Sequence, residues 1–226
     1  MRHNAPHLVV SNYNEPLKWV TDWKGNVTIC THASNNTVCN VPINKGAEAS
    51  AYLLFILLHW ANLPRIMVFV DSHRTSWHQP HNKLNCAQTI ISSHRFTGYG
   101  SINNIKIDTL NNPTWEYSSF CPVWISVVKP HMNKKCPRRL TTNGSGQFVV
   151  SRDTVFKHPY DLYLDLYLYS TGQKRWNGDR HWRDAKNFSY QPGGPSDSFV
   201  GGVFFLEWIW GILFTGMSNS YRLACT

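Results

Sequence analysis

Apolar runs along this chain stop abruptly in polar clusters, and the repeated pattern predicts an α/β domain. Residues 7–11, HLVVS, form a short apolar run that passes into Asn12-Tyr13-Asn14-Glu15-Pro16. A strand followed by a polar loop is where nucleotide-binding α/β domains begin to build their site; the plainer alternative is an ordinary turn, with Asn14 capping a short helix that carries Leu17, Trp19 and Val20. Asn26-Val27-Thr28-Ile29-Cys30 reads as a second strand. Asn44-Lys45-Gly46-Ala47-Glu48 opens a helix running to about Trp60; its interior, AYLLFILLHW, is apolar nearly all round, so it is expected to be buried on more than one side. Ile66-Met67-Val68-Phe69-Val70 then has the continuous apolar character of a strand covered on both faces. Strand, helix, strand, helix, strand predicts a parallel or mostly parallel sheet flanked by helices.

The second half is less regular. Residues 84–93 fit a helix, and residues 98–113, rich in Asn and Gly, fit a loop or short irregular strands. Trp124-Ile125-Ser126-Val127-Val128 fits a strand, as does Phe148-Val149-Val150 after Gly144-Ser145-Gly146. Ser151 or Asp153 is placed to cap a following helix, on which Leu162, Leu166 and Tyr169 recur at helical spacing. A long polar stretch over 171–198 reads as a flap or a disordered segment. Phe204 to Trp210 is an aromatic helix holding one acid, Glu207. There is no internal repeat and no clear domain boundary, so a single domain over 1–226 is expected.

Composition narrows the function classes. A hydrophobic content of 42% in 226 residues suits one globular α/β domain. The net charge of +9 suits an anionic partner: a nucleotide, a phosphorylated sugar, nucleic acid or an acidic membrane surface. The densest basic run, Lys134 to Arg139, reads as a solvated loop, and no familiar nucleic-acid motif is present. Peripheral membrane contact stays open, but a transmembrane segment is not expected: residues 52–60 are too short, and residues 199–215 contain Glu207 and several glycines. The six cysteines contain no CxxC pair, which excludes a zinc ribbon. Asn26, Asn35, Asn143 and Asn187 open glycosylation sequons, yet no signal-like h-region precedes residue 7. Reduced cysteines and an intracellular, cytoplasmic location are therefore the expectation.

Candidate chemistry concentrates just after the third strand, where Asp71, His73, Arg74, Trp77, His78 and His81 fall within eleven residues. Ligands in open α/β sheets bind beyond the carboxyl ends of the strands. Asp71 and His73, two apart on an extended chain, face the same side and are candidates for one metal ion or one hydroxylated ligand. An ordinary Asp-capped turn with solvated histidines is the plainer alternative. Glu207, alone among aromatics, is a candidate general base whose pKa burial would raise, or else a structural hydrogen-bonding group. Glu48 is expected to serve its helix, in the first turn, where the dipole favours an acid.

The segments HLVVSNYNEPLKW, NKGAEASAYLLFIL, NLPRIMVFVDSHRTSWHQ, GQFVVSRDTVFKHP and FFLEWIWGILF, in that order, resemble a large domain-of-unknown-function family grouped with glycosyltransferases of the GT-A fold. The resemblance spans about 7–214; residues 94–145 and 171–198 match poorly. It implies a GT-A-like domain, a nucleotide-sugar donor, a glycan or other hydroxyl acceptor, and often a divalent metal on an Asp-x-Asp element. It implies donor contacts from Tyr13, Asn14 and Glu15. Asp71-Ser72-His73 departs from the metal pattern by one imidazole, which favours manganese over magnesium. A metal-independent enzyme would instead neutralise the leaving diphosphate with Lys45, Arg74 or Arg152, and Trp77 and His78 are candidates to face the donor sugar.

The expectation is therefore a nucleotide-sugar-dependent glycosyltransferase with Glu207 as base. The alternative is a metal-dependent hydrolase or metal-binding module built on Asp71, His73, His78 and His81, whose spacing would suit zinc. A third reading is an inactive GT-A-like protein that binds glycans through its aromatics.

Overall fold

The computed structural model describes residues 5–32, 38–41, 46–108, 120–173 and 200–217, with side chains in the last segment from Phe205 onward. Six strands form the central sheet: β1 (His7–Asn12), β2 (Val27–Thr31), β3 (Cys39–Asn40), β4 (Ile66–Asp71), β5 (Tyr99–Ser101) and β8 (Phe148–Ser151). Two more, β6 (Lys106–Asp108) and β7 (Thr141–Asn143), form an antiparallel ribbon. The sheet order is β3-β2-β1-β4-β8-β5. Strands β3, β2, β1 and β4 run parallel, β8 pairs antiparallel with β4, and β5 pairs antiparallel with β8. The expected mostly parallel sheet flanked by helices is what forms.

Alternation along the strands explains the two-sided burial. Val9, Met67, Phe69, Phe148 and Val150 face the larger core. It is filled by α1 (Ala47–Leu58), α5 (Tyr160–Ser170), α6 (Val200–Thr215) and α3, a helix described over 120–132. Leu8, Val10, Val68, Val70 and Val149 face the smaller core under α2 (Lys83–Ser92) and a 3-10 turn over Lys18–Asp22. α2 is capped by the Asn82 side chain, and the short α4 (Arg152–Val155) by Ser151.

Three expectations are corrected. Trp124–Val128 is not a strand but a π-wound stretch of α3. Its β-branched residues suit a strand, yet burial of Trp124, Val127 and Val128 against the helical layer overrides that preference. Asn14 does not cap a helix; it sits at φ 62, in the left-handed region that asparagine tolerates, and only a 3-10 turn follows. The described cysteines are not reduced. Cys30–Cys39 joins the neighbouring strands β2 and β3, Cys121–Cys136 ties α3 to the loop beyond it, and Cys86 is disulfide-bonded as well.

Of the sequon asparagines, Asn26 is exposed, whereas Asn143 is buried and donates to the Asn103 carbonyl at 2.7 Å. Asn35, Asn187 and most of the 171–198 stretch lie outside the described residues. No helix among the described residues is long and apolar enough to cross a membrane.

Candidate active site

The strand order changes direction between β1 and β4: β2 and β3 lie to one side of β1, and β4 lies to the other. Such a switch point opens a crevice at the carboxyl ends of the two strands. Asn12 ends β1 there and Asp71 ends β4.

Asp71 is enclosed by donors. Its Oδ1 accepts from the Lys83 ammonium at 2.6 Å and from the His73 backbone N–H at 2.8 Å, while its Oδ2 accepts from Gln147 Nε2 at 3.0 Å. The Lys83 side chain has 0% exposure, against 19% for Asp71. A lysine buried so completely requires a partner, and Asp71 is that partner.

The loop between β7 and β8, Gly144-Ser145-Gly146-Gln147, holds two further carboxylates. The Ser145 N–H donates to Glu207 Oε2 at 3.3 Å. Gly146 lies against Glu48, and a Cβ added there would stand 3.1 Å from Glu48 Oε1. Ser145 and Gly146 have φ of 65° and 50°, so the turn is left-handed at both residues. Buried Asn103 fixes the loop by donating to the carbonyls of Ser145 and Gln147. The buried Tyr52 hydroxyl lies beside Gln147 and feels all three carboxylates.

Electrostatics separate these acids. Burial first, and then the nearby Glu48 charge, push Glu207 up to about 8. Glu48 is also raised, by burial and then by Asp71, against opposing pulls from its own backbone hydrogen bond and from Lys83. Both glutamates hold protons more tightly than free carboxylates. Among the described residues Glu207 forms no arginine pair; its bond to Ser145 is with backbone.

The predicted residues divide as follows. Glu15 and His73 meet across the crevice, with His73 Nε2 3.3 Å from Glu15 Oε1 and His73 Nδ1 3.6 Å from Asp71 Oδ1. Tyr13 is exposed in the same loop, near His32, and Asn14 forms its turn. Arg74 pairs with Asp22 at 2.9 Å; with Pro16, Lys18 and Trp19 they line an open groove of about 420 Å³. Trp19 anchors that groove by donating to the Ser72 carbonyl at 2.8 Å. Trp77 is 85% exposed, so it does not belong to the core.

Other candidates do not join this group. His78 turns to Asn103 and Ser76, and His81 is exposed. Arg152 follows β8 beside Arg65, at the opposite end of β4 and roughly 20 Å from Asp71 by strand rise. Antiparallel pairing of β8 puts it there. Lys45 lies outside the described residues.

Asp71 and His73 do share a side, as their spacing requires. Yet the Asp71 oxygens already accept three hydrogen bonds, and no group of three or more His, Cys, Asp or Glu among the described residues is disposed to hold a metal. The donor set does not fit the divalent ion that the Asp-x-Asp resemblance implies. Nor do Asp71, His73, His78 and His81 converge as a zinc site.

Sequence reasoning missed Lys83, Gln147, Ser145 and the active-site placement of Glu48. One signal was available: a Gly-Ser-Gly turn entering a buried strand, with a polar residue immediately before it.

The sequence profile of a family described as "Protein of unknown function (DUF3431)" matches residues 8–224. The chain belongs to this family. No curated protein and no solved structure matches this DUF3431 chain.

Proposed function

We propose that this protein is a glycosyltransferase that moves a sugar from a nucleoside-diphosphate donor to a hydroxyl acceptor. The observation behind the reading is the β1/β4 switch point, with a basic, aromatic groove beside it and three carboxylates gathered around the β7–β8 turn, one of them raised to about 8. GT-A kinship, implied by the resemblance in the sequence, supports the same reading.

The donor would lie over the carboxyl edge, with its base and ribose toward Tyr13, Asn14 and Glu15. Its diphosphate would lie toward Lys18, Arg74 and His73, where cationic groups stabilise the charge developing on the leaving group. Trp77 is free to cover the sugar. Glu207 would take the acceptor hydroxyl's proton. The acceptor oxygen then bonds to the anomeric carbon, and the bond from that carbon to the diphosphate oxygen breaks with its electron pair on the departing nucleoside diphosphate. Disulfide bonding fits an oxidising compartment, where glycan acceptors are plentiful.

Calorimetric titration with UDP, GDP and their sugar conjugates tests the reading. Binding of one nucleotide series, with turnover lost in Glu207→Gln while binding persists, is the expected result. Full activity in Glu207→Gln would remove the proposed base, and no nucleotide binding at all would overturn the transferase reading.

A further inference from the structure

A carboxylate closing a core strand at a ligand crevice is an expected place for a divalent cation. Here that carboxylate already has its counter-charge. Lys83 reaches it from the first position of α2, twelve residues further along the chain, at 2.6 Å. The ammonium is wholly buried, so it cannot turn away to solvent without abandoning the ion pair. Gln147 Nε2 and the His73 N–H take up further acceptor capacity on the two Asp71 oxygens. A hard divalent ion would have to displace these donors and then sit beside a buried positive charge that has lost its partner.

We propose that the Lys83 ammonium takes the place of a divalent metal at the end of β4, so that Asp71 is an internal anchor and ligand binding in this crevice is metal-independent. Lys83 is then a positioning residue. By neutralising Asp71 it removes a fixed negative charge that would repel an anionic ligand, and it does so without touching that ligand. Where the ligand is a nucleoside diphosphate, the inference rests on the transferase reading; the occupancy of Asp71 does not.

The test uses the full chain and two measurements. In the first, UDP and GDP are titrated in EDTA and again in manganese. Equal affinities in the two buffers support the proposal. A gain of about tenfold or more with manganese, corresponding to roughly 1.4 kcal/mol, would overturn it while leaving the transferase reading intact. In the second, manganese alone is added to wild type and to Asp71→Asn, and free ion is followed by paramagnetic resonance. No retained manganese, or equal retention by both proteins, supports the proposal even if neither nucleotide binds. Manganese held by wild type and released in Asp71→Asn would overturn it. If Asp71→Asn fails to fold, retention by wild type is read with and without nucleotide-free magnesium as competitor: failure to retain manganese supports the proposal, and stoichiometric retention that magnesium displaces overturns it.

Discussion

Asp71 and Glu207 are both bonded to the β7–β8 turn, but they live in opposite circumstances. Asp71 is met by an ammonium, a backbone N–H and a side-chain amide. Among the described residues, Glu207 is met by one backbone N–H at 3.3 Å and faces a second acid, Glu48. The first has its counter-charge beside it, so removing either partner would strand the other. The second is poorly compensated and holds its proton to about pH 8. Of the two, the acid with more partners among the described residues is the anchor, and the acid with fewer is the proposed base.

Glu207→Gln is the sharpest way to test that contrast. Turnover should fall by about 10²–10⁴-fold, the range for losing a general base, while the circular dichroism spectrum and donor affinity stay close to wild type. Asp71→Asn should do the reverse, costing about 3 kcal/mol of stability by stranding the buried Lys83 ammonium, measured by urea unfolding.

A pH series separates the two acids without mutation. A base with a pKa of about 8 must be ionised to act, so kcat should climb as pH rises toward 8 and level off above it. Stability should run the other way. A carboxyl whose pKa is raised on folding contributes stability that is fully present below its unfolded value, near 4.5, and is lost as pH rises through about 8. Unfolding midpoints should therefore decline over that window in wild type and decline less in Glu207→Gln.

Gly146→Ala should cost about 1 kcal/mol, because φ is +50° there and the new methyl would crowd Glu48. Its more telling effect would be a shift in the pH profile as Glu48 moves relative to Glu207. Arg152→Ala, at the far end of the sheet, should leave donor affinity and turnover unchanged.

The legible parts of this chain were those where burial writes a pattern. β1, β4 and β8 are apolar runs that end in polar residues, α1 is apolar on most sides, and Asp71, Glu15 and His73 stand where strands end. Trp124–Val128 misled because β-branched residues on a buried helix look like a strand. Lys83 was hidden for a different reason. Nothing in Asn82-Lys83-Leu84 separates a lysine pointing into the sheet from one in water; only the packing of α2 against the sheet decides it. Glu48 was correctly placed in a first turn. Its companionship with Glu207 is a long-range fact made by packing α1 and α6 beside the β7–β8 turn.

That turn has a consequence for any attempt to alter the site. Three successive residues, Ser145, Gly146 and Gln147, are each assigned to a different acid. The acids come from three separate elements, yet they share one short piece of backbone as their common datum. A shift of that backbone would move Glu207, Glu48 and Asp71 out of adjustment together. Grafting this chemistry onto another scaffold would therefore mean transplanting the turn first and fitting the carboxylates to it afterwards.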